Sequence, residues 1–220
     1  MRLIFIGPPG SGKGTQAKLL SQRLGLVHFA TGDILREAMR LKTPEGLEAH
    51  PYVSVGKLVP DELINAMVAV RFRSKDCPSR FVMDGYPRNV AQAIAFDGIL
   101  AECKQTLDAV IFLRVADEEI VKRLSARWSC PNPKCKATYN TQFKPPKVPG
   151  ICDDCGTPLV QREDDKPETI QRRLGIFHAL NNALLDHYRG RGLHVEVPGV
   201  GEIETIYRAV EQALASVKAV

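Results

Sequence analysis

The strongest constraint on this chain lies in its first twenty residues. Arg2-Leu3-Ile4-Phe5-Ile6 is a short apolar run of strand composition. Gly7-Pro8-Pro9-Gly10-Ser11-Gly12-Lys13-Gly14-Thr15 follows at once, and Gln16-Ala17-Lys18-Leu19-Leu20 reads as a helix. A strand, a glycine-rich loop with a lysine and a helix N-terminus together form a phosphate cradle. The glycines let backbone N–H groups turn inward, the helix adds its positive end, and the lysine adds a charge. The general pattern places Ser or Thr directly after the lysine. Here Gly14 holds that position and the hydroxyl comes one residue later, at Thr15, so a hydroxyl–magnesium bond from the usual place is unavailable.

The rest of the chain has room for one α/β core with small insertions at 220 residues. Strand-like runs at 2–6, 27–29, 80–84, 109–115 and 193–197 alternate with helical patterns near 13–24, 32–41, 61–73, 90–101, 117–127, 168–189 and 202–217. This alternation predicts a parallel sheet covered by helices. Asp61 and Asp117 mark helix starts, with carboxylates near the positive helix end. Two stretches break the rhythm. Residues 30–59 contain one helix among Pro44, Gly46 and Pro51. Residues 128–163 are rich in Cys, Pro, Gly and Lys without helical periodicity, as lids and binding loops are.

A formal charge of +5 comes from 30 basic and 25 acidic residues. No basic run of five and no one-sided basic helix accompanies it, so it reads as the lining of a polyphosphate cleft rather than a nucleic-acid surface. No apolar run is long enough to cross a bilayer and no secretory h-region precedes the first strand, so the expected location is cytoplasmic.

Cys130 and Cys135, then Cys152 and Cys155, form two pairs whose thiolates can occupy the corners of a tetrahedron. Four sulfurs favour zinc or an iron–sulfur cluster over hard cations. Nothing else points to redox work, which leaves structural Zn²⁺; a disulfide pairing is the alternative in an oxidising compartment. The second pair is a CxxC followed by Gly156. The first is looser, with four intervening residues and Lys136 after it. Cys77 and Cys103 stand alone and read as isolated thiols.

Phe81-Val82-Met83-Asp84 is an apolar strand ending in a carboxylate suited to magnesium. With it, the segments GPPGSGKGT, TGDILR, GKLVPDEL, DGYPR with Gln92, and QREDD followed by RRL resemble adenylate kinase in order and spacing across nearly the whole chain. The cysteine insertion resembles the zinc-containing bacterial lid of that family. The resemblance implies a P-loop nucleoside monophosphate kinase fold. Its core would comprise 1–29, 60–125 and 164–220, with an NMP-binding segment at 30–59 and a lid at 126–163. It implies MgATP + AMP ⇌ 2 ADP, a role in adenine nucleotide homeostasis and AMP salvage, Mg²⁺ with ATP, substrates ATP, AMP and ADP, and a monomer.

Carried over by motif, the resemblance assigns ATP to Gly10, Ser11, Gly12, Lys13, Gly14 and Thr15, with Arg127, the Thr138-Tyr139 backbone and Gly201. AMP falls to Thr31, Arg36, Lys57, Leu58, Val59, Gly85, Tyr86, Pro87, Arg88 and Gln92. Arg162, Arg173 and Arg123 match phosphate-closing arginines; Asp84, helped by Asp33, matches the carboxylates that organise magnesium water. Ala30 departs from the serine common before the threonine. The chemistry agrees. Phosphoryl transfer between phosphates needs in-line positioning, neutralisation and exclusion of water, but no general base, and the five scattered His offer no persuasive one. Arginine forks suit phosphates, and a helix over 117–127 would put Arg123 and Arg127 on one face. The rival readings are a kinase of another nucleoside monophosphate, a zinc-ribbon nucleic-acid ATPase and a non-catalytic nucleotide scaffold.

Overall fold

The computed structural model describes residues 1–73 and 78–217; Cys77 lies outside them. Five parallel strands form the central sheet: β1 (Arg2–Ile6), β2 (Val27–Ala30), β3 (Phe81–Asp84), β4 (Ala109–Arg114) and β7 (His194–Pro198), in the order β2-β3-β1-β4-β7. A separate antiparallel pair, β5 (Arg127–Ser129) and β6 (Thr138–Asn140), sits in the cysteine-rich stretch. The helices are α1 (Lys13–Leu24), α2 (Thr31–Leu41), α3 (Pro44–Val53), α4 (Asp61–Arg73), α5 (Val90–Glu102), α6 (Asp117–Ser125), α7 (Pro167–Arg189) and α8 (Ile203–Val217). Among the described residues no helix is long and apolar enough to cross a membrane.

Strand alternation sorts the core into two layers. Leu3 and Phe5 turn to the face covered by α1 and α8, where they meet Ala17, Leu20, Tyr207 and Val210. Ile4 and Ile6 turn the other way, toward Phe72 of α4, Phe96 of α5 and Leu184 of α7. Phe72 is fully buried, with ring centroids 5.1 Å from Phe81 and 5.2 Å from Phe96. Each such side chain contributes about 1.5–3 kcal/mol by leaving water. The connections after β1 and β3 leave for opposite faces, since α1 packs on one layer and α5 on the other. A crevice therefore opens at the C-terminal ends of these adjacent strands, where open α/β sheets take their ligands. Registers of Phe5 with Asp84 and Ala30 with Asp84 bring the loop after β1, the start of α2 and the end of β3 to that crevice.

Three elements differ from the sequence expectation. α3 is a second helix within 30–59, in a stretch whose prolines and glycine read as breakers. Pro44 is instead at the first turn, where its missing N–H costs nothing. The Thr43 hydroxyl caps that turn by accepting from Gly46 N at 3.2 Å. Gly46 is required because a Cβ there would stand 2.2 Å from the Ala38 carbonyl of α2. The β5–β6 pair was not anticipated, since three-residue strands carry almost no alternation. Finally, α6 stops at Ser125, so Arg127 lies on β5 and the expected shared helical face with Arg123 does not exist.

Candidate active site

The phosphate cradle is built by backbone. Gly10 and Gly12 adopt left-handed φ of 81° and 96°, a region costly for any residue with a Cβ. A Cβ on Gly10 would also meet Leu124 Cγ at 2.7 Å. Ser11 is fully buried in the loop. Lys13 Nζ donates to the carbonyls of Gly7 and Pro8, each at 2.7 Å, and lies 3.4 Å from Ser11 Oγ. Gly14 has a reason the motif alone does not give. A Cβ there would stand 3.0 Å from Asp84 Oδ2, so the carboxylate occupies the space where the general pattern places a hydroxyl side chain. Thr15 is exposed on the first turn of α1.

The second half of the crevice is lined by Thr31, Arg36, Lys57, Leu58, Val59, Gly85, Arg88, Gln92 and Arg173. Thr31 is buried and donates to the Asp84 carbonyl at 3.1 Å. Gly85, with φ 81°, passes so close that a Cβ would be 2.9 Å from Thr31 Oγ1. Arg88 Nε donates to the Gly85 carbonyl at 2.8 Å, and Arg36 pairs with Asp33 at 2.5 Å. Tyr86 does not reach the crevice with its side chain. It is fully buried, donates to Asn65 Oδ1 at 2.7 Å and packs edge-on against Phe96, so that it and buried Pro87 can offer backbone only.

Arg127 and Arg173 converge on two adjacent carboxylates. Asp165, whose side chain is fully buried, accepts from Arg127 Nε at 2.8 Å and pairs with Arg127 Nη2 at 2.5 Å and Arg173 at 3.5 Å. Asp164 pairs with Arg173 at 2.9 Å. Arg162 Nε donates to Ser129 Oγ at 2.9 Å. Arg123 Nε bonds Glu119 at 2.7 Å, and its Nη1 bonds the Gly199 carbonyl at 2.9 Å, beside Gly201 with φ 118°. Asp164, Asp165 and Gly199 were not singled out from sequence. The Glu163-Asp164-Asp165 run after Arg162 was the readable signal; Gly199 had none.

Electrostatics mark the crevice as an anion site. Burial, with Arg88, Arg173 and Arg127 nearby, pushes Lys13 down to about 7 against the pull of Asp84. The closed walls of the crevice, then Arg173, lower Arg88 to about 10 although part of that residue meets solvent. Burial, then Arg36 and Arg127, lower Arg162 to about 9. Asp33 moves the opposite way: burial opposes its charge, but Arg36 outweighs it and holds the carboxyl below its usual range. Cations thus repel one another here, and an incoming polyphosphate relieves that cost.

The cysteine-rich stretch has a small core of its own, Cys130, Ala137, Tyr139, Cys152 and Leu159. Tyr139 is buried, its hydroxyl accepting from Asp153 N at 2.8 Å, so its side chain is turned into this core. The Sγ atoms of Cys130, Cys135, Cys152 and Cys155 lie within 4.8 Å of one another, with Cys130–Cys155 at 3.4 Å and Cys135–Cys152 at 3.6 Å. Four sulfurs about 2.3 Å from a tetrahedral zinc are about 3.8 Å apart, so the donor set fits that ion. The two extra residues of the first pair are absorbed by a tight turn in which Cys135 N and Lys136 N both donate to the Asn132 carbonyl at 3.0 Å. Cys103 is half-buried against the Phe72 carbonyl, away from this cluster.

Comparison with known proteins bears on the whole of this arrangement. A family model described as adenylate kinase matches residues 5–193. The adenylate kinase of Carboxydothermus hydrogenoformans is 44% identical over 97% of this chain and 99% of its own length. That of Caldicellulosiruptor saccharolyticus is 45% identical over the same shares. The enzyme of Archaeoglobus fulgidus is 43% identical over 99% of this chain and 100% of its own. With its parallel sheet, its phosphate cradle and relatives matched end to end, the chain belongs to the adenylate kinase family and is an ATP:AMP phosphotransferase.

Proposed function

We propose that MgATP + AMP ⇌ 2 ADP runs in the crevice between β1 and β3, with the following residues in the following roles. Gly10, Ser11, Gly12, Gly14 and Thr15 cradle the ATP phosphates, and Lys13 leaves the Gly7 and Pro8 carbonyls to meet them. Arg123, Arg127, the Thr138-Tyr139 backbone and Gly201 complete the ATP side. Thr31, Arg36, Lys57, Leu58, Val59, Gly85 to Arg88 and Gln92 hold AMP. Arg88, Arg162 and Arg173 neutralise the group in transfer. The AMP phosphate is itself the nucleophile, so the protein supplies alignment and positive charge rather than a base. Asp84 and Asp33 would hold the magnesium that enters with ATP, through its waters; bound there, that ion neutralises the β- and γ-phosphates.

The single observation that carries this reading is the gathering of Arg36, Lys57, Arg88 and Arg173 around one crevice beside the loop of Lys13. Such a cluster is costly unless an anion with several charges fills it. Residues 30–59 and 126–163 are taken as segments that close over it around a core of 1–29, 60–125 and 164–220. Closure would carry Arg162 onto phosphate and keep water from the γ-phosphate. The four cysteines are taken to hold a structural Zn²⁺ whose role is to fold a segment with little core. The enzyme is read as a cytoplasmic monomer.

Lys13 gives the test. Its ammonium is disfavoured in the ligand-free protein and favoured beside phosphate, so ATP binding at pH 8 takes up a proton. Where free Lys13 is neutral and bound Lys13 charged, affinity falls with a slope approaching about ten-fold per pH unit. Titration calorimetry at pH 8 in buffers of different ionisation enthalpy measures the uptake directly, since ATP itself is fully ionised there. The expected result is uptake of a substantial fraction of one proton in the wild type and none in Lys13→Arg. Zero uptake in the wild type would show that Lys13 does not change its charge on binding, and would contradict the depressed ammonium of the free protein.

A further inference from the structure

Asp61 opens α4 directly after the 30–59 segment, and the reaction as described leaves it without a task. Its carboxylate is nonetheless fully engaged. Asn89 Nδ2 donates to both its oxygens, at 3.1 and 3.0 Å, and Gln92 Nε2 donates to Oδ1 at 2.6 Å. At the other end of the same amide, Gln92 Oε1 accepts from Arg88 N at 2.7 Å. Asn89 Oδ1 in turn caps α5 by accepting from Gln92 N at 2.8 Å. Gln92 is 2% exposed and lines the crevice.

This geometry removes the usual freedom of an amide to flip. A carboxylate can only accept, so the nitrogen must face Asp61. A backbone N–H can only donate, so the oxygen must face Arg88. Each end retains one unused capacity: the second N–H of Nε2 and the second lone pair of Oε1. Toward the crevice, Gln92 therefore presents a donor and an acceptor in fixed order. Adenine offers the complement, with N1 accepting and the 6-amino group donating. Guanine offers the reverse, with N1–H donating and O6 accepting. To read guanine, the amide would have to flip and set nitrogen against the Arg88 N–H and oxygen against Asp61.

We infer that Asp61 is a specificity-positioning residue: it locks the Gln92 amide in the orientation that accepts adenine and rejects guanine at the monophosphate site. The inference rests on the reading above that Gln92 holds AMP, and it takes the contact to be with the base. Asp61→Asn places an N–H among the donors of Asn89 and Gln92 and lifts half of the lock. The expected result is a fall of about ten-fold or more in the AMP-over-GMP ratio of kcat/KM, from the range that one bidentate amide–base contact discriminates. The change should lie in the monophosphate KM, with KM for ATP unaltered. A purely structural role for Asp61 would lower kcat/KM for both monophosphates equally and leave the ratio where it was, and that result overturns the proposal.

Gln92→Ala separates this proposal from its premise. If that variant keeps the wild-type ratio, Gln92 does not read the base and the premise fails. If it loses the ratio while Asp61→Asn keeps it, the lock alone is wrong. Should Asp61→Asn not fold, NMR of the wild-type protein decides. A locked amide gives Gln92 side-chain protons protected from exchange with water, one of them with an Overhauser contact to the Asp61 methylene. Exchange with water as fast as that of an exposed amide, or no such contact, would overturn the proposal.

Discussion

Arg88→Lys is expected to lower kcat by at least about a thousand-fold while leaving the fold and the melting temperature nearly unchanged. The size follows from the worth of an arginine that stabilises a transferring phosphoryl group, about 10³–10⁵ in rate. Arg88 is poised by two contacts, of which a lysine can copy only the backbone one. Its backbone N–H is fixed by Gln92 Oε1, and its guanidinium Nε is tied to the Gly85 carbonyl at 2.8 Å, which leaves the terminal nitrogens as a planar fork. A lysine carries the same charge as a point and loses the bidentate geometry. Because the loss falls on the transition state, KM for AMP should change far less than kcat. Steady-state kinetics with circular dichroism as the control checks this. A kcat within ten-fold of wild type would show that Arg88 does not act on the transferring phosphoryl group.

Cys152→Ala is expected to release the lid metal and unfold the lid without unfolding the core. Cys152 is buried and belongs to a cluster of only five buried residues. Its loss leaves three sulfurs and an apolar core too small to order residues 128–160. A structural zinc supplies about 10–16 kcal/mol to a small domain, so the lid cannot survive its removal. Metal analysis should find about one zinc per wild-type chain and well under one in the variant. Hydrogen exchange should show loss of protection confined to the lid. Turnover should fall with it, because Arg162 is held by Ser129 on β5. A wild-type protein without zinc, or a lid equally protected in the variant, would remove the metal from the account.

The parts of this site that could be read from the sequence are those that local chemistry dictates. The cradle at 7–13 was readable because its glycines need φ that no other residue tolerates, and Asp84 because it ends a wholly apolar strand. The two cysteine pairs were readable because thiols at close spacing have few other uses. What escaped was set by packing between distant segments. Gly14 is explained only when Asp84 arrives beside it. α3 escaped because Gly46 looks like a breaker until Ala38 is packed against it. Arg127 was assigned to α6 by spacing, yet α6 ends at Ser125. The pull of buried Asp165 suits the strand position that the chain then takes. Asp61 could be read as a helix start, but its hold on Gln92 spans 31 residues of sequence and no motif carries it.

The most direct test of the account is ³¹P NMR of the purified protein with MgATP and, in turn, AMP, GMP, CMP and UMP. The account predicts that ADP resonances appear with AMP, that the other monophosphates give little or none, and that ADP supplied alone returns ATP and AMP. Hydrolysis of ATP to inorganic phosphate without transfer, or no change with any monophosphate, would contradict it.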